Sequence, residues 1–175
     1  MTSVVTTTGF ALGDYTTWGS FAVLLFFYLT FIGGCSGSTS GGLKIFRFQV
    51  AYVLLKANLM QLVHPRAVIK QQYNNHNLDE DIVRSLITFS FFFTITIGVL
   101  ALALTLVGLD WVTALTGAAT AVCNVGPGLG PIIGPAGNFA SLPDSAKWLL
   151  TIGMLLGRLE ILTVLVLFTR TFWKH

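Results

Sequence analysis

The chain has 175 residues, of which 54% are hydrophobic and only 10% charged. Soluble domains carry about 25% charged residues, so a water-soluble fold of this composition would strand apolar surface in water. The formal net charge of +3 is small and its basic residues are not interleaved with aromatics, which argues against a nucleic-acid partner.

The chain opens on Met1-Thr2-Ser3-Val4-Val5-Thr6-Thr7-Thr8-Gly9, with no basic leader before an apolar core, so no cleavable signal peptide is expected. From near Tyr15 the sequence turns apolar, most strongly between Phe21 and Ile32. A helix from Ser20 to Ile32 reaches about 20 Å, short of the roughly 30 Å hydrocarbon core of a bilayer. It then meets Gly33-Gly34-Cys35-Ser36-Gly37-Ser38-Thr39-Ser40-Gly41-Gly42 and resumes as Leu43 to Val63, carrying Lys44, Arg47 and Lys56. The glycine run is therefore expected inside the membrane, where irregular backbone is tolerated only if protein or a water-filled cavity satisfies it. A flexible linker is the alternative reading. A linker, however, would not need to stop a membrane helix short of the far side.

His64-Pro65 closes that helix, since proline cannot continue the hydrogen-bond ladder. Arg66 to Asn77 is polar and amide-rich, hence a loop, and Asp79, Glu80 and Asp81 stand where the next helix presents its positive dipole end. The clearest span runs from Ile82 to Val107, with Arg84 near its start. After Asp110, the stretch Trp111 to Val122 is helix-permissive but too short to span, and Cys123-Asn124-Val125-Gly126-Pro127-Gly128-Leu129-Gly130-Pro131 follows. A short apolar helix and a glycine-rich strand between two spans have the form of a re-entrant pore loop. The second span runs from Ala146 to Phe172, interrupted by Lys147, Arg158, Glu160 and Arg170.

Lys44, Arg47, Lys56, Arg66 and Lys70 gather around one loop, and Arg170 and Lys174 lie at the chain end. The opposite ends of the spans carry Asp14, Asp110, Asp144 and Lys147. Basic-residue bias places the His64–Asn77 loop and the C-terminus on the cytoplasmic side.

The N-terminus carries a degenerate copy of the re-entrant strand. Val5-Thr6-Thr7-Thr8-Gly9-Phe10-Ala11-Leu12-Gly13 aligns without gaps on Val122-Cys123-Asn124-Val125-Gly126-Pro127-Gly128-Leu129-Gly130, with the valine, both glycines and the leucine coinciding. Stacked carbonyl oxygens replace the hydration shell of a large monovalent cation, and glycine permits the backbone angles that stack them. Threonine hydroxyls add neutral oxygens, and the carboxyl end of the short helix points a negative partial charge at the ion. Thr-Thr-Gly and Gly-Pro-Gly are also turn signals. Taken singly each loop reads as a turn; as a matched pair they read as filter strands.

Arg158 is a lone charge near mid-membrane and so a functional candidate by default. Pairing with Glu160 is the structural alternative, although residues two apart on a helix point to different faces. Gly153 and Gly157 form a GxxxG pair suited to close helix packing. Gly37 to Lys44 superficially resembles a phosphate loop, but Leu43 separates glycine from lysine, Ile45 replaces the hydroxyl, and no strand precedes it. Cys35 and Cys123, like His64, His76 and His175, lack partners at metal-ligand or nucleophile spacing, and no organic cofactor is expected.

Ser3 to Phe10, Gly33 to Lys44, Cys123 to Gly128 and Gly157-Arg158-Leu159-Glu160-Ile161 resemble, in order, motifs of the Trk/Ktr/HKT cation transporters, and most closely the TrkH type of potassium-uptake subunit. The resemblance covers essentially the whole chain. It implies an all-α integral membrane fold of repeated M1–pore helix–filter–M2 units, with a broken intramembrane helix. Residues 1–63 would be the filter strand and broken M2 of a third unit, 64–78 a cytoplasmic loop, and 79–175 a complete fourth unit. Thr7, Thr8, Gly9 and Phe10 would form one potassium filter strand, and Asn124, Val125, Gly126 and Pro127 another. The fourth-unit strand departs from threonine-glycine wording, an asymmetry also familiar in the family. Gly33, Gly34, Cys35, Ser36, Gly37, Ser38, Thr39, Ser40, Gly41 and Gly42 would form an intramembrane gate, held by Arg158. The transported ion would be K+, by symport or channel-like uptake. The partners would be the bilayer of a bacterial inner membrane, the missing pore units, a second copy of the full-length protein and a cytosolic nucleotide-binding regulator. The competing expectation is a truncated, non-conducting membrane remnant, because two filter strands cannot close a ring of four.

Overall fold

The computed structural model describes residues 1–159 apart from 12, 36, 65–71, 74 and 75. Leu12 of the repeat, Ser36 of the glycine run, Arg66 and Lys70 of the basic loop, and Glu160, Arg170, Lys174 and the second half of the last span lie outside the described residues. The chain is helical: α1 (Thr2–Val5), α2 (Ser20–Phe31), α3 (Ile45–Val63), α4 (Glu80–Leu106), α5 (Trp111–Cys123) and α6 (Asp144–Arg158). A two-residue antiparallel ladder pairs Gln72–Tyr73 with His76–Asn77, where the sequence reads as loop. Tyr73 explains it: its ring packs edge-on to Phe46, 5.3 Å between centroids, and its hydroxyl donates to Gln49, so the loop is pinned to α3.

Among the described residues, α4 is the one helix long and apolar enough to cross a bilayer. Its 27 residues span about 40 Å, and Glu80 and Asp81 in its first turn complement the dipole. The sequence places its start at Ile82; the helix begins a half-turn earlier because Asp79 already sits at the N-cap. Helix α2 is shorter, with 12 residues, and stops where Ile32 turns extended. Its N-terminal end is anchored by Tyr15, whose ring stacks on Phe26 at 4.0 Å, while the Asp14 carboxylate accepts from Thr16 N–H at 2.9 Å.

Helix α5 is the core of the fold. Asp110 caps it by accepting from Val112 N–H, and from Thr113 to Cys123 every residue but Leu115 is buried. It packs between α4 and α6, with α2 also against it. Alanines 114, 118 and 121 leave room for this crowding, as small residues do where no water drives helices together. On α6 the glycine pair serves the same end: a methyl on Gly153 would meet the tip of Leu100, and one on Gly157 would run into the carbonyl oxygen of Val122.

The two glycines therefore differ in tolerance. Gly157→Ala forces backbone apart and should destabilise by about 1–3 kcal/mol, an overpacking cost, whereas Gly153→Ala meets a side-chain tip that can rotate and should cost less. The thermal midpoint of the detergent-solubilised protein, followed by size-exclusion chromatography, checks this; equal midpoints for the two variants would contradict it.

Candidate functional site

Three irregular segments converge at the carboxyl end of α5. The first is the strand 7–10 after α1, the second the strand 124–127 after α5, and the third the glycine loop between α2 and α3. The two strands repeat one backbone pattern. Thr7 and Asn124 both lie in the left-handed region, at φ 53° and 56°, and Gly9 and Gly126 follow at 80° and 111°. The residue between them, Thr8 or Val125, has ordinary handedness. Such alternation is the kind of backbone that can turn successive carbonyls to one side, as a carbonyl-lined cation site requires. The preceding hydrogen bonds match too: Thr8 N–H donates to Ser3 O at 2.9 Å, and Val125 N–H to Thr120 O at 3.0 Å. The gapless alignment of the two stretches is thus matched by their local structure as far as Gly9 and Gly126.

The strands also meet in space. A methyl on Gly9 would run into the carbonyl oxygen of Val125, and one on Gly126 would lie 4.0 Å from the Gly9 Cα. Their surroundings differ. Val125 is buried beside α5, whereas Phe10 is 83% exposed; α1 packs on α2, while α5 lies between α4 and α6 with α2 also against it.

Threonines of α5 brace the second strand. Thr120 Oγ1 accepts from Gly126 N–H at 3.0 Å and donates to Pro127 O at 3.1 Å. One turn earlier, Thr116 Oγ1 accepts from Leu129 N–H at 3.2 Å. At the strand's start, the Asn124 amide donates to Met154 O at 3.1 Å and so ties it to α6. The sequence reading missed these braces. Their signal is the spacing of Thr113, Thr116 and Thr120, which places hydroxyls on one face of the short helix. Ser3 occupies the position of Thr120 in the first copy, and its buried hydroxyl has no partner among the described residues.

The glycine loop closes on itself. Gly33 N–H donates to Leu43 O at 2.7 Å and Leu43 N–H to Phe31 O at 3.0 Å, a short parallel bridge across its neck. Ser40 Oγ accepts from Gly34 N–H at 2.7 Å, and Lys44 Nζ donates to Ser38 O and Ser40 O at 2.7 and 2.6 Å. The loop then joins both strands. Gly41 N–H donates to Thr7 Oγ1 at 3.2 Å, and the Gly41 Cα lies so near Cys123 O that a methyl would collide with it. Arg158 Nη1 donates to Thr39 O, from the end of α6. Behind the loop is a cavity of about 290 Å³ lined in part by Lys44, Arg158 and Arg47, the last stacked 3.6 Å over the Phe89 ring. Cys35 is exposed and Cys123 buried, and both are free thiols.

A short buried helix inside a bundle of apolar helices defines a helical fold of the membrane type. The comparisons with known proteins name the family. The TrkH cation transport protein family matches residues 1–174. The potassium uptake protein TrkI of Halomonas elongata is 65% identical over 173 residues, covering 99% of this chain and 35% of its own length. The potassium uptake protein TrkH of Escherichia coli is 39% identical over 173 residues, again 99% of this chain and 35% of its own. The crystal structure of the potassium transporter TrkH from Vibrio parahaemolyticus superposes with a TM-score of 0.89 at 37% identity, over 98% of this chain and 36% of that one. The chain belongs to the TrkH family of cation transport proteins, a family of transporters and not of enzymes. It spans about a third of the length of the relatives it matches.

The brace at Thr120 makes a sharp test. Thr120→Val keeps the shape and removes the hydroxyl, leaving Gly126 N–H without its acceptor at a cost of about 1–3 kcal/mol, while Thr120→Ser retains the bond. Thermal unfolding should therefore fall for valine and stay near the parent for serine. A valine variant as stable as serine would show that the hydroxyl does not hold the strand.

Proposed function

We propose that this chain supplies two of the filter strands and the gate of a potassium uptake pathway. The observation that carries this is the meeting of the two kinked strands at Gly9 and Val125, with the glycine loop bonded to Thr7 and packed on Cys123. Thr7, Thr8, Gly9 and Phe10, with Asn124, Val125, Gly126 and Pro127, are the proposed K+ ligands, using backbone and hydroxyl oxygens in place of water. Gly33 to Gly42 are the proposed gate, and Arg158, through Thr39 O, the residue that holds it. Residues 1–63 then act as the end of a third pore unit, 64–78 as a cytoplasmic connection and 79–175 as a fourth unit, in a bacterial inner membrane with the C-terminus inside. On the family resemblance, the whole protein is proposed to work as a dimer with a cytosolic nucleotide-binding regulator, taking up K+ by symport or in a channel-like way.

Two strands do not close a fourfold ring, and the exposure of Phe10 leaves the first strand uncovered. The reading therefore requires the remaining pore units. Rubidium uptake in bacteria stripped of their own potassium transporters tests it, with this chain expressed alone or joined to the remaining part of the Halomonas TrkI protein. Growth at low potassium and rubidium influx are expected only from the joined protein. Influx from this chain alone would overturn the requirement for further units, and no influx from either, with insertion verified, would favour a non-conducting remnant. In the joined protein, Arg158→Ala should raise influx severalfold by releasing Thr39 O, since one charge-assisted bond is lost; unchanged flux would remove Arg158 from the gate.

A further inference from the structure

Lys44 sits at the N-cap of α3, where serine, threonine, aspartate or asparagine would serve and where a cation faces the positive end of the helix dipole. If the glycine loop lies at membrane depth beside a cation pathway, an ammonium there is opposed on two further counts: desolvation and repulsion of the passing ion. A residue so placed needs a strong compensating contact. Its Nζ donates to Ser38 O at 2.7 Å and Ser40 O at 2.6 Å, lengths typical of charge-assisted hydrogen bonds. Arg158 takes the carbonyl between them, that of Thr39. Three consecutive loop carbonyls are thus held by two cations, one rooted in α3 and one in α6. Lys44 is fixed to the first turn of a 19-residue helix, so any swing of the loop away from α3 breaks both of its bonds.

We infer that Lys44 is a second clamp on the intramembrane loop, a positioning residue that holds the gate closed from the α3 side while Arg158 holds it from α6. This rests on the gate reading proposed above and deepens it. Removing the ammonium frees two carbonyls and favours displacement of the loop, whose Gly41 N–H is also bonded to Thr7 Oγ1 of the first strand. The effect should therefore fall first on the rate of passage, any change in the affinity for the ion being transmitted through Thr7.

The test uses the complete transporter in which this chain is joined to the remaining part of the Halomonas TrkI protein. Initial rubidium influx is measured against concentration at matched membrane levels for Lys44→Met, Lys44→Gln and Lys44→Arg. Losing two charge-assisted bonds should raise the maximal rate roughly fivefold or more in Lys44→Met, less in Lys44→Gln, which keeps one donor group, and least in Lys44→Arg. A parental rate in Lys44→Met, or loss of influx at a normal membrane level, would overturn the clamp. So would failure of both neutral variants to insert while arginine inserts, which would make the charge a folding requirement. Amide hydrogen exchange of residues 33–42 in the purified proteins gives a readout independent of transport. Faster exchange in Lys44→Met supports the clamp and equal exchange overturns it, even if the parent carries no rubidium, which would sink only the transport reading.

Discussion

A buried peptide group must find its partner within the protein, and this constraint governs the irregular backbone packed at the carboxyl end of α5. The strand after α5 draws its partners from Thr116 and Thr120, one helical turn apart. The glycine loop draws them from its own neck, from Ser40, and from the cationic ends of Lys44 and Arg158. Hydroxyls and long cationic side chains thus replace solvent at the points where helices are interrupted. The interruptions can exist only because those side chains are there.

Satisfying these groups brings backbones unusually close, and close approach demands residues without side chains. The carboxyl end of α5 is approached by Gly157 from α6 and by Gly41 from the loop, each against a carbonyl of residues 122 and 123 where a methyl would collide. These carbonyls form the negative end of the α5 dipole, the end that attracts a cation. The same crowding that packs the fold therefore concentrates carbonyl oxygens at one place. Packing and the proposed ion chemistry share a cause.

The parts of this arrangement legible in sequence are those with a local signal. The α4 span announces itself by an uninterrupted apolar run, the short α5 by its length, and the kinks at Gly9 and Gly126 by a glycine at the same step of a repeat. The starts of α4 and α5 and the end of α3 are read to within a half-turn because Asp79, Asp110 and His64 mark them. What escapes is long-range. Thr120 and Thr116 read as ordinary helix residues until their strand folds back on them, and Lys44 reads as one more charge in a basic loop until the loop carbonyls close on it. The ladder at Tyr73 escapes for the same reason, since the contact that makes it, with Phe46, lies in α3.

The repeat itself contains an asymmetry with physical content. Both strands begin on a left-handed residue, but asparagine tolerates that region and β-branched threonine resists it, at about 1–3 kcal/mol. Asn124 is further secured by its own bond to α6, so the strand after α5 is held by the bundle as well as by its packing against the loop. Thr7 has no such anchor in a helix; its hydroxyl accepts from Gly41 N–H of the glycine loop. The strained strand is thus the one tied to the loop, and the relaxed strand is the one tied to the scaffold. A displacement of the loop would act first on the conformation of Thr7 and only indirectly on Asn124. Under the proposed reading of loop and strands as gate and filter, the coupling between them would run through Thr7.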